Sequence, residues 1–91
     1  MNKYKEFASK TLALNNFYTT CFLLCKGFDL VDIDKTNPRK ASFVFENKEN
    51  IESTLKDFDF AEKQSPEVMV DARKFIATIK SLKDKLYQRG A

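Results

Sequence analysis

These 91 residues specify a small two-layer α+β domain in the order β-α-β-β-α-α, a short, mainly antiparallel sheet with its helices on one face. Three observations predict it. Apolar residues recur at helical spacing in three segments. Between and before them lie runs in which Leu, Val, Ile and Phe alternate with polar residues, as strands do. Finally, 43% hydrophobic residues with nine Phe and three Tyr supply enough ring surface for one core, while only two Gly and two Pro argue against disorder. A single domain over residues 1–91 is expected, with residues 1–9 a loose lead-in.

Lys10-Thr11-Leu12-Ala13-Leu14 alternates as a short first strand. Asn15 and Asn16 are good N-caps for a helix in which Phe17, Tyr18, Cys21, Phe22, Leu24 and Cys25 repeat at helical spacing, until Gly27 supplies a left-handed stop. Phe28 to Asp34 and Ala41 to Glu46 read as two further strands, the second setting Ala41, Phe43 and Phe45 against Ser42, Val44 and Glu46. Lys35-Thr36-Asn37-Pro38-Arg39-Lys40 joins them as a wide antiparallel turn whose basic tip should be exposed.

Asn47 or Asn50 is placed to cap a second helix with the stripe Ile51, Leu55, Phe58. Ser65-Pro66-Glu67 then opens a third, with Ser as N-cap and Pro at the first helical position. Val68, Ala72, Phe75, Ile79, Leu82 and Leu86 keep to one seam of it, until Gly90. A helix from Pro66 to Gln88 would run roughly 35 Å, longer than three strands are wide. Leu82, Leu86 and Tyr87 in its distal turns are therefore the expected protein interface.

The segments Asn16-Phe17-Tyr18 through Phe22-Leu23-Leu24-Cys25-Lys26-Gly27-Phe28, then Phe43-Val44-Phe45, then Phe75 through Leu82-Lys83 and Leu86-Tyr87, carry a resemblance. In that order they look like a family of short bacterial and phage domains catalogued only as a domain of unknown function. The resemblance spans roughly residues 15 to 87 and implies a shared fold; it conveys no activity.

Composition excludes most enzyme chemistry. With no histidine there is no His-dependent triad and no histidine metal shell, and Gly27 and Gly90 alone cannot build a phosphate loop. No catalytic residue, cofactor, metal site or small-molecule substrate is implied. Cys21 and Cys25 sit among Phe17, Tyr18, Phe22 and Leu24, where two small buried hydrophobes explain them better than metal ligation. Asp29, Asp32 and Asp34 lack the Gly and distal Glu of a calcium loop. The start, Met1 to Phe7, has no apolar core of a secretion signal, and no stretch approaches a membrane span. Membrane partners are not expected, and two cysteines without a disulfide framework suit a reducing, cytoplasmic setting.

Charge is distributed unevenly around a net +3. Residues 41–62 carry six acidic and two basic side chains, whereas residues 63–91 carry seven basic and three acidic. The stretch Arg39 to Glu46 invites comparison with an RNA-recognition strand, but Ala41 and Glu46 fall where the outer stacking rings belong, so Phe43 and Phe45 are read as core. A non-catalytic binding module is the resulting expectation, and two partner classes stay open. One is nucleic acid, held by Lys26, Lys35, Arg39 and Lys40 with Arg73 and Lys80 on one side of the last helix. The other is protein: a second copy forming a homodimer through the third helix, or a host partner of a phage or mobile-element protein, met by the acidic second helix.

Overall fold

The computed structural model describes residues 10–37 and 39–87. The lead-in over residues 1–9, the Pro38 bond, the helix end at Gln88, Arg89 and the stop at Gly90 lie outside the described residues. Strands β1 (Thr11–Leu14), β2 (Leu30–Asp34) and β3 (Ser42–Glu46) form one antiparallel sheet in the order β1-β3-β2. Helices α1 (Phe17–Cys25), α2 (Ile51–Phe60) and α3 (Ala72–Leu86) complete the order β-α-β-β-α-α.

Alternation on β3 sets the layers, because successive strand residues point to opposite faces. Phe43 and Phe45 are buried, and their cross-strand partners line the same face: Leu14 and Ile33 beside Phe43, Leu12 and Leu30 beside Phe45. Leu30 and Ile33 are three residues apart and would face opposite ways on a regular strand. A bulge between Leu30 and Asp32 inserts one residue, so both reach the core while Val31 and Asp32 face solvent. Phe28, expected at the start of this strand, belongs instead to the turn that ends α1.

Asn16 caps α1, its side chain accepting from the Thr19 backbone N–H. At the other end Gly27 takes φ +98°, the Phe28 N–H donates to the Leu23 carbonyl, and the Gly27 N–H to Leu24. That pair of bonds is a Schellman turn, which requires the left-handed residue. Between the caps α1 is buried on several sides, since it packs against both α2 and α3. Leu23, outside the expected stripe, is fully buried, while Tyr18, inside it, is 55% exposed. Cys21, Leu23, Phe43, Phe45, Ile51 and Leu82 form the core, and the Phe22 ring meets Phe58 of α2 at 4.6 Å.

The caps of the later helices differ from expectation. Asn50 occupies the N-cap of α2 but sits in the left-handed region with no side-chain cap bond; its carbonyl accepts from the Thr54 N–H and from the Ser53 and Thr54 hydroxyls. Asparagine tolerates that backbone better than most residues. The third helix does not begin at Pro66. Pro66–Val68 is a single 3₁₀ turn, Met69 is extended, and α3 starts at Ala72, with the Asp71 carboxylate accepting from the Arg73 and Lys74 N–H groups. Asp71 offers two bonds to the new helix, and β-branched Val68 and Val70 flank the break. The helix is thus fifteen residues, about 22 Å, and packs chiefly against α1. No helix among the described residues is long and apolar enough to cross a membrane.

Candidate functional site

The β2–β3 connection is shaped by two side-chain turns. Asp34 accepts from the Thr36 N–H and hydroxyl, and Asn37 accepts from the Arg39 N–H, so each acid or amide replaces a backbone bond two residues on. The bonds from Thr36 hold the Asp34 carboxyl below its usual range, and it remains ionised at neutral pH. Lys35, Thr36, Asn37, Arg39 and Lys40 are all exposed, as the sequence leads one to expect of a basic tip.

Antiparallel pairing brings this tip to the C-terminal end of α3. The Lys35 Nζ lies 3.5 Å from the Lys85 carbonyl, and a hollow of about 340 Å³ opens between Lys35, Asn37, Arg39 and Ala41 on one side and Leu86 and Tyr87 on the other. Its lining is mixed in character. Two cations and an amide share it with two aliphatic side chains and a phenol ring, and the Tyr87 residue is 72% exposed. Lys80 and Lys83 are exposed on the same flank of α3, seven and four residues before Tyr87, with Ile76 between them and Arg73.

The sequence-predicted cations therefore divide into two groups. Lys35, Arg39 and Lys40 gather at the tip, with Lys80 two turns away along α3. Lys26 and Arg73 do not join them. Lys26 donates to the Met69 carbonyl at 3.3 Å and lies 5.5 Å from the Phe22 ring centre, beside the start of α3. Arg73 is fourteen residues from Tyr87, roughly 21 Å along the helix. The expected protein interface is also redistributed: Leu82 is 1% exposed and belongs to the core, Leu86 is half-buried against it, and Tyr87 alone of the three is open. The reason is packing: Leu82 lies in the core cluster with Cys21 and Leu23 of α1, and Leu86 packs against that cluster. Asn37 and Ala41 were absent from the sequence-derived set because their role depends on hairpin register, whereas Lys83 was detectable from its spacing to Tyr87.

Elsewhere the chemistry is muted. A second hollow, about 320 Å³, runs between α1 and α3 beside Leu24, Thr78 and Ser81; its Lys74 donates to the Cys25 carbonyl at 3.2 Å, so that cation closes the end of α1. Cys21 and Cys25 are buried free thiols, and the Cys25 thiol meets the Thr78 hydroxyl at 3.6 Å. Burial, reinforced by the neighbouring Cys25, pushes the Cys21 thiol up to about 11. Asp29 pairs with Lys48 at 3.1 Å. Among the described residues no three of Cys, Asp and Glu converge as metal ligands would.

Compared with known proteins, the chain matches no curated protein and no solved structure. A family model does match, over residues 9–88, and that span takes in every strand and helix described above. The chain accordingly belongs to the family described as Domain of unknown function (DUF5659).

Proposed function

We propose that this domain is a non-catalytic nucleic-acid-binding module that holds phosphate with the β2–β3 tip and the adjoining end of α3. One observation carries the reading. Lys35, Arg39 and Lys40 are exposed on a hairpin whose turn closes on an open aromatic ring, with Lys83 and Lys80 one and two turns back along α3 and the tip's one carboxylate, Asp34, already bonded to Thr36. Cations near an exposed ring are the usual footprint of nucleic-acid association. The non-catalytic part rests on composition, since the chain has no histidine, and on Cys21, whose raised pKa is opposite to that of an activated nucleophile. Its unpaired cysteines fit a cytoplasmic setting, in the bacterial or phage context that the resemblance implies.

Salt is the test. If about three phosphates are neutralised, oligonucleotide affinity falls about 20- to 40-fold between 50 and 200 mM salt. Arg39→Ala with Lys40→Ala should weaken binding and flatten that dependence. Absence of binding at 50 mM, or binding indifferent to salt, removes the reading.

A second reading, a protein-interaction module, is favoured by Phe60, which is 80% exposed at the end of α2 among Asp57, Asp59 and Glu62. It predicts a partner retained after nuclease digestion and lost with Phe60→Ser.

A further inference from the structure

Resting on the nucleic-acid reading, we infer that the ligand is single-stranded, with one unpaired base seated in the hollow against Tyr87 and the flanking phosphates on Lys35 and Arg39. The hollow is lined for two chemistries at once. Duplex DNA or RNA presents phosphates outward and keeps its bases stacked, so a protein that grips only the duplex backbone needs cations and has no use for an open ring over an aliphatic floor. Here the apolar lining is Leu86, Ala41 and the exposed Tyr87 ring, and the cationic lining is Lys35 and Arg39. A volume near 340 Å³ is at the small end of ligand pockets and admits a single flat heterocycle.

Stacking on an exposed ring is tolerant of base identity, because every base has a π-face. Orientation comes from the cations. The two that share the hollow with Tyr87 come from the hairpin, while Lys83 and Lys80 stand one and two turns back along α3, with the exposed Asp84 between Lys80 and Tyr87 on that flank. A strand entering along α3 would thus meet Lys80, Lys83, the Tyr87 ring and the hairpin tip in order. Ile76, 53% exposed on the same flank, gives the track an apolar neighbour at its far end.

Fluorescence anisotropy at 50 mM salt, with one labelled pyrimidine-rich oligodeoxynucleotide used alone and annealed to its complement, tests this. The single strand should bind about tenfold more tightly than the duplex. Tyr87→Ala should cost the single strand about tenfold, leave its salt dependence unchanged and spare duplex binding, whereas Tyr87→Phe, which keeps the ring, should bind as the parent does. An unchanged thermal midpoint in both variants shows that the fold is intact. Equal or tighter duplex binding, or a Tyr87→Ala variant that holds the strand normally, overturns the base-seating inference while leaving nucleic-acid association standing. If neither form binds, both fall.

Discussion

Cys21 shows how burial alone sets a side chain's chemistry. Its thiol is fully enclosed on α1, with Cys25 one turn on, and ionisation there would place charge in an apolar core. The folded protein therefore keeps the proton up to about pH 11, against an ordinary 9.0 in the unfolded chain. A raised pKa means that the stabilising contribution of this group is whole below pH 9 and disappears as pH climbs towards 11, where the unfolded chain ionises first. The stability advantage of the parent over Cys21→Ala, measured by urea unfolding, should accordingly shrink between pH 8 and 10.5. A constant difference across that range would show that the thiol does not titrate as its burial requires. At neutral pH the same enclosure should leave both cysteines unlabelled by thiol reagents until the domain unfolds.

Helix ends carry most of the local specification. Gly27 at φ +98° has open space where a Cβ would project, so Gly27→Ala meets no steric neighbour, and its cost is the left-handed backbone alone. That cost is about 1–2 kcal/mol, to be read from the denaturation midpoint, with Gly27→Asn losing less. Caps of this kind were legible in the sequence: Asn16 and Gly27 bracket α1, and the alternation of Phe43 and Phe45 placed β3 on the core. Two other features were not. The bulge at Val31 is a property of pairing between β2 and β3, invisible to a periodicity read along one strand. At the third helix, Ser65-Pro66-Glu67 and Asp71 are both possible starts, and the long helix begins at Asp71, whose side chain makes two cap bonds where Ser65 makes none. For the site, the cationic hairpin could be seen in the sequence, but its meeting with Tyr87 could not, because residues 35 and 87 are brought together only by the fold.

At the scale of the molecule, the packing of α3 decides what is left for association. Leu82 is enclosed and Leu86 lies half-buried on the core, so the seam that a longer helix would have offered to a second copy is already used within the chain. Light scattering at micromolar concentration should give a monomer mass. Leu86→Lys should leave that mass unchanged while lowering stability by about 1–2 kcal/mol through lost burial. A dimer mass abolished by that substitution would restore the helix-mediated pairing.

The bulge on β2 has a consequence beyond core packing. With β3 in the middle, β2 forms one rim of the sheet, and a rim presents backbone groups to which an extended chain can add. Val31 and Asp32 both turn outward there, breaking the even spacing an added strand requires, and Asp29, Asp32 and Asp34 set exposed carboxylates along the same border. The irregularity that lets Leu30 and Ile33 share the core thus also makes the β2 rim a poor template for an added strand, which leaves the regular β1 at the opposite rim as the edge open to pairing.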